Sequence, residues 1–309
     1  MAVTNASSAE QFCLEVFSVK LHGELIFLAV VNMFLSITAF LGNTLILVAL
    51  HRESSRLPPF ASIVLYRNLA ITDLCVGILV EPTYIAYLMS LMGKRYDICH
   101  YTRMTCFLTT SVLCAVSFLT LTAISVDRLL VVLLRLRYRQ VASSKRKVIT
   151  VIVFWILSIV GASQYFWGPL LKTWLFGRTI TLLCLITSIF SYTKVLLTLR
   201  HNQVDVQNSS ARGQLSQAIP GNIARYRKAV YSVLWVQAAL FFCYLPVGIV
   251  GALTPQRGPV PVKNYLARQF AVTLVYLNSS INPLLYCWRM REVKRAVKAT
   301  IRQLLFLST

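Results

Sequence analysis

Asn282-Pro283-Leu284-Leu285-Tyr286 closes the last long apolar stretch of this 309-residue chain, and a basic, amphipathic run from Arg289 to Arg302 follows directly behind it. A proline inside an apolar helix of membrane length frees a backbone carbonyl and weakens the preceding turn, so it needs polar company. Asn278, Ser279 and Asn282 supply that company, three and four residues apart on one helical face. A helix with a kink, an amide-hydroxyl cluster and a tyrosine at its end is built to move. What it moves depends on how many such helices accompany it.

Working outward, seven stretches each hold roughly 20 or more mostly apolar residues, the length that crosses a hydrocarbon core of about 30 Å. They run over 24–50, 62–91, 105–134, 148–170, 175–199, 229–253 and 266–288. The composition agrees, because 57% hydrophobic against 13% charged residues is far from a soluble domain. The reading is an all-α membrane protein: an N-terminal tail over 1–23, a seven-helix membrane domain over 24–288, and a C-terminal amphipathic helix with a short tail over 289–309. No internal repeat or low-complexity segment interrupts it. The connections of any length are 200–225, rich in Ser and Gln, and 254–268, with three prolines.

Lys and Arg orient the bundle. Of 31 basic residues, 20 lie in the connections after spans one, three and five and in the C-terminal tail, 9 lie on the other side, and Arg67 and Arg128 lie within spans. The crowded side is expected to be cytoplasmic, leaving the N-terminus outside. The sequon at Asn5 is then a candidate glycosylation site, whereas those at Asn208 and Asn278 are cytoplasmic and intramembrane. No apolar signal-peptide core precedes Glu24, so a short tail is expected to cross with the first span. The net charge of +21 is mainly a topology signal facing anionic lipid head groups, and it excludes a nucleic-acid function, which wants basic and aromatic residues on one soluble face.

Polar residues inside the membrane are costly and by default functional candidates. Gly42-Asn43, Asp73, Asp127-Arg128, Trp155, Tyr192, Pro246 and Asn282 to Tyr286 each occur once, each in its own span. With these landmarks in that order, the chain resembles a rhodopsin-like (class A) G-protein-coupled receptor over essentially its whole length. The resemblance implies an extracellular ligand, a heterotrimeric G protein as intracellular partner, and no enzymatic activity. Asp73, Ser117, Asn278, Ser279 and Asn282 match that family's mid-membrane sodium pocket, an allosteric ion rather than a cofactor. The chemistry suits it, since a hard cation wants carboxylate, hydroxyl and amide oxygens. The alternative is that Asp73 simply hydrogen-bonds Asn43 and Asn282. The switch and coupling residues implied are Asp127, Arg128, Tyr192, Tyr244, Pro246, Asn282, Pro283 and Tyr286. Arg128 is expected to pair with Asp127 at rest and to meet Tyr192 and Tyr286 through water when active; an arginine that snorkels to head groups is the bland alternative.

Several positions depart from the family pattern. Leu129 follows the Asp-Arg pair in place of tyrosine, Tyr244 stands where a tryptophan is usual, and Cys184 replaces a kinking proline in span five. Tyr226, among Arg225, Arg227 and Lys228, occupies the place of an acid that locks the arginine, so elevated basal signalling is expected. Arg103 holds the position of the usual span-three cysteine, and the short loop expected around Lys172 to Arg178 has none, so the usual bridge is absent. Cys13, Cys99 and Cys106 lie near the outside; a Cys13–Cys99 disulfide and free thiols are the alternatives. Cys287 is a candidate palmitoylation site. The short outer loop and missing bridge resemble the melanocortin, cannabinoid and lysophospholipid branch, bordering the adenosine receptors, although Glu81 is displaced from the melanocortin calcium position.

The expected ligand pocket holds Glu81, Phe107, Thr110, Ser111, Cys114, Tyr244 and Tyr276. Thr110 stands where amine receptors carry a carboxylate, which argues against a monoamine. Basic residues outside suit either an anionic ligand or interfacial anchoring. Met290, Val293, Val297, Ile301 and Leu304 recur at spacings of three and four, the pattern of an interfacial helix or of a calmodulin target. The absence of a lysine between Arg268 and Arg289 excludes a retinal pigment, and a transporter would want repeated halves with paired charges. A non-signalling decoy or scaffold receptor is the first alternative, and a small seven-helix transporter the second.

Overall fold

The computed structural model describes residues 13, 17, 21–52, 63–134, 137–138, 143–167, 170–211, 238–239, 241–253, 262–289 and 291–306. These form eight helices in chain order: α1 His22–Arg52, α2 Ile63–Met92, α3 Tyr96–Leu134, α4 Ser144–Trp167, α5 Leu170–Ala211, α6 Phe241–Leu253, α7 Val262–Arg289 and α8 Arg291–Phe306. The first five are long and apolar enough to cross a membrane by length and composition. The described part of α6 is shorter, and the 28 residues of α7 span about 42 Å despite their polar content. Together they make the seven-helix membrane bundle expected from the sequence. Asn5 and Tyr226 lie outside the described residues, as does the side chain of Tyr286.

Helix α3 packs against α2, α4 and α5, while α1 packs against α2, α7 and α8. Two apolar clusters fill the interior. One holds Ile46, Leu69, Leu121, Ile124, Tyr192 and Val297; the other holds Leu28, Val80, Tyr84, Leu88, Tyr265 and Tyr276. Tyr244 touches both. The outward faces stay apolar: Ile149, Ile152, Ile156 and Val160 of α4 are exposed at helical spacing, as a surface that meets lipid requires.

Helix boundaries run beyond the apolar spans. Helix α3 starts at Tyr96 rather than near 105, with Asp97 in its first turn complementing the helix dipole. Helix α5 covers 170–211, so the outer loop expected around Lys172 to Arg178 is helical, and so is the start of the loop expected at 200–225. Hydropathy marks where lipid ends, whereas a helix stops only at a breaker, and 170–175 contains none. The turn into α3 is tight: Lys94 takes φ 49°, and the Arg95 N–H reaches the Ser90 carbonyl at 3.0 Å.

Helix α2 is interrupted by a π segment at Val76–Val80, just before Pro82. A proline cannot donate to the carbonyl four residues back and its ring crowds that carbonyl; one wide turn relieves both. The neighbouring Gly77 carbonyl is bonded by the Ser36 hydroxyl of α1 at 2.7 Å. At the other end of the same helix pair, Arg67 donates to the Leu50 carbonyl at 2.8 Å, capping the last turn of α1. Helix α8 buries Val297 and Thr300 and exposes Lys294, Arg295, Lys298 and Arg302, the division its spacing predicts for an interfacial helix.

Candidate functional site

Pro283 sits within α7 and its ring cannot supply the N–H that the Ser279 carbonyl would otherwise accept. The Asn43 amide of α1 fills that role, donating to the Ser279 carbonyl at 3.1 Å. The preceding residue, Gly42, makes the approach possible: a Cβ there would lie 2.9 Å from Pro283 Cγ and 3.1 Å from its Cβ. The two landmarks of α1 therefore serve one proline in α7. Nearer the outer end the same seam continues with the Asn32 amide on the Thr273 hydroxyl at 3.0 Å.

Asp73 of α2 faces α7 at mid-depth and is 1% exposed. The Asn282 amide donates to its Oδ2 at 2.7 Å and Ser279 hydrogen-bonds it as well. Asn43 is not a partner of Asp73, contrary to one sequence alternative; it is spent on the Ser279 carbonyl. An internal void of about 10 Å³ opens beside the carboxylate, with Ser117, Asn278 and Ser279 on its wall. That is the space a single water-sized particle needs. The amide oxygens of Asn278 and Asn282 are buried without a hydrogen-bond partner. The Ser117 hydroxyl donates to Thr72 at 3.0 Å, leaving its own lone pairs available. The Asp73 carboxylate, the orphaned amide oxygen of Asn278 and the hydroxyls of Ser117 and Ser279 around a void of this size fit a small hard cation, with Asn282 bonded to the same carboxylate.

Thr110, Cys114, Tyr244 and Tyr276 line the outer side of the same void. Thr110 and Tyr276 share a hydrogen bond at 3.2 Å, and the Tyr244 hydroxyl donates to Cys114 Sγ at 3.1 Å. The Tyr244 ring packs edge-on against Phe118 with centroids 4.5 Å apart, so this tyrosine sits directly above the ion-sized space, two residues before Pro246. Phe107, Ser111 and Glu81, the other residues expected in the ligand pocket, lie away from this ion-sized void. Phe107 packs at a tilt against Tyr165 of α4 with centroids 4.9 Å apart, the Ser111 hydroxyl turns back to the Phe107 carbonyl at 2.6 Å, and Glu81 is 0% exposed with both carboxylate oxygens unpartnered. Tyr165 was not legible as a neighbour, because the contact crosses from α3 to α4 with no sequence signal.

At the inner end, Arg128 is 8% exposed. Its Nη2 lies 3.8 Å from Asp127 Oδ2, and Tyr66 of α2 hydrogen-bonds the guanidinium. The Asp127–Arg128 pair expected from the sequence is present, and Asp127 has further partners besides. The other carboxylate oxygen, Oδ1, takes the Tyr138 hydroxyl at 2.7 Å and Lys147 Nζ at 3.0 Å. Tyr192 is buried and accepts a hydrogen bond from Ser125 at 2.9 Å. Asn68 joins α2 to the rest of this end, accepting from the Trp155 indole at 2.9 Å and donating to Thr120 at 2.8 Å. Sequence reading singled out Trp155 but not Asn68, Tyr138 or Lys147.

At the opposite end of the bundle from Arg128, Cys13 and Cys99 form a disulfide, tying the N-terminal tail to the first turn of α3. Cys106 is a free buried thiol. Among the described residues no group of His, Cys, Asp and Glu could hold a metal ion on its own.

Residues 42–170 match the pattern of the 7 transmembrane receptor (rhodopsin family). The adenosine receptor A3 of Canis lupus familiaris is 28% identical over 289 residues, 85% of this chain and 87% of that receptor. The probable G-protein coupled receptor 45 of Homo sapiens is 25% identical over 314 residues, 87% of this chain and 80% of the relative. The human galanin receptor type 1 is 25% identical over 289 residues, 85% and 78% of the two chains.

Proposed function

We propose that the chain is a receptor of the rhodopsin family of seven-transmembrane receptors, whose pattern residues 42–170 match, and that it converts binding of an extracellular ligand into activation of a heterotrimeric G protein, with its N-terminus outside. It is a multi-pass membrane receptor and not an enzyme. The relatives named for adenosine and for galanin do not converge on one ligand.

The observation that carries the reading is the burial of Arg128. An arginine that only anchors the interface extends its head group to water; this one is 8% exposed and bonded inside the bundle. Ligand binding then shifts a two-state equilibrium in which the inner ends of α6 and α7 move and Arg128 is released to the G protein. Tyr244 and Pro246 of α6 link the outer pocket to that motion, and Asn282, Pro283 and Tyr286 provide the weak turn of α7. Asp73, Ser117, Asn278, Ser279 and Asn282 hold a sodium ion that favours the resting arrangement by filling the void beside the carboxylate. The ligand enters above Tyr244 and Tyr276. A floor of hydroxyls and a thiol supports a ligand other than a monoamine, because no carboxylate lies on the α3 side of the void. The basic residues of α8 lie against the inner leaflet.

The test is ligand-free activation across the G-protein families, comparing the native protein with Arg128→Ala at equal surface expression. Basal activity is expected, with Tyr226 in place of a locking acid, and the substitution is expected to abolish it. Activity that survives Arg128→Ala overturns the coupling role, and silence in both overturns the basal-activity expectation and favours a decoy or scaffold.

A further inference from the structure

Asp127 and Arg128 are consecutive on α3, and consecutive helical residues point about 100° apart. Their side chains meet only by bending toward each other, and the contact is correspondingly long at 3.8 Å. Lys147 has no such constraint. It stands in the first turn of α4 and approaches Asp127 across the helix interface at 3.0 Å. Tyr138 is placed between the two strands of this contact: its hydroxyl donates to Asp127 Oδ1 at 2.7 Å and accepts from Lys147 at 3.0 Å, with Lys147 Nζ 5.4 Å from its ring centroid. The triad is nearly dry, with side-chain exposures of 14% for Lys147 and 6% for Asp127, and Tyr138 at 3%. In such surroundings a charge pair with a direct hydrogen bond outweighs one at 3.8 Å, since the Coulomb energy falls with distance and the charge-assisted bond adds to it.

We propose that Lys147 is a positioning residue that captures Asp127, with Tyr138 as the bridge, and thereby loosens the hold of Asp127 on Arg128. The proposal goes beyond ligand and G-protein coupling and rests on Arg128 as the coupling residue only for its consequence in signalling. Capture by Lys147 neutralises most of the carboxylate's charge and points one oxygen away from Arg128. The Asp127 share of the hold on Arg128 is therefore weak, beside the hydrogen bond Arg128 makes to Tyr66, and its strength is set from α4 rather than from within α3. Removing the ammonium frees Asp127 to close on Arg128 and tightens the resting state.

Thermal unfolding of the purified full-length receptor tests this without any ligand or G protein. The coupling between Asp127→Asn and Arg128→Gln is measured by a double-mutant cycle, once in the native background and once with Lys147→Gln. The cycle is expected to show a larger non-additivity, by ~2 °C in Tm, when Lys147 is replaced. Lys147→Arg, which keeps the charge, is expected to leave the native value. Equal coupling in both backgrounds overturns the proposal. In cells, Lys147→Gln is expected to lower basal G-protein activation roughly fivefold, while Tyr138→Phe lowers it less; a rise in either overturns the direction of the effect. If Arg128→Ala leaves activity intact while the thermal cycle responds as stated, the coupling role of Arg128 fails and the capture of Asp127 stands.

Discussion

Asp73 meets the Asn282 amide at 2.7 Å, while the amide oxygen of Asn278 on the adjoining cavity wall has no partner. A buried acceptor without a donor costs roughly 1–3 kcal/mol, so a cation that satisfies it and the carboxylate together returns that cost. Purified receptor is accordingly expected to melt about 2 °C higher in sodium chloride than in equimolar choline chloride. Asp73→Asn removes the charge the ion needs and is expected to abolish the difference; an unchanged sodium response in that variant would overturn the site. At this scale the sequence was most legible where a motif carries its own chemistry. Asn282, Pro283 and Asp73 were visible because an amide, a kink and an intramembrane carboxylate are rare individually. The Lys147–Tyr138–Asp127 triad was not, because its partners are ordinary residues brought together across the connection between α3 and α4. Glu81 stood out in the sequence as an intramembrane carboxylate, but its burial without a hydrogen-bond partner could be seen only in the structure.

Elements meet here through small residues placed opposite rigid ones. Gly42 of α1 lies against the Pro283 ring of α7, and at Gly77 in the wide turn of α2 an added Cβ would lie 3.0 Å from Ala39 Cβ and the Phe40 nitrogen of α1. A proline ring cannot swing aside as a flexible side chain can, so a methyl at 42 must push α1 and α7 apart. That separation also lengthens the Asn43 bond to the Ser279 carbonyl, which has no other helix donor. Gly42→Ala is expected to cost ~1–3 kcal/mol, read as a Tm loss of about 2–6 °C. Gly248→Ala in α6 provides the contrast, because a Cβ there meets nothing within 4 Å and alanine is the better helix former. It is expected to leave Tm level or slightly raised, and equal losses at both glycines would remove the packing explanation. Gly42 stood out in the sequence only as part of the Gly42-Asn43 landmark, and its packing role becomes visible only with the opposing helix in place. For the same reason the π turn at Val76–Val80 was hidden, since one wide turn leaves the apolar run of α2 unbroken.

For the whole molecule, charge distribution and covalent structure both support the proposed orientation. The 20 basic residues assigned to one side and the 9 on the other predict an N-terminus outside. The disulfide from Cys13 to Cys99 joins the N-terminal tail to the start of α3, placing both on one side, and such bonds persist in an oxidising environment. It closes a sequence separation of 86 residues, for which chain entropy alone gives roughly 4–5 kcal/mol. In a membrane the realised value should be smaller, because unfolded spans that remain inserted are already constrained. Epitopes fused at the two ends decide the orientation. An N-terminal tag is expected to be stained by antibody on intact cells, and a C-terminal tag behind α8 only after permeabilisation. Cys99→Ser is expected to lower Tm by several degrees while leaving that staining pattern unchanged, because the positive-inside distribution rather than the bridge determines which way the bundle inserts. The reverse staining pattern in the native chain would overturn the orientation. It would also put Arg128 on the outer side, out of reach of any G protein.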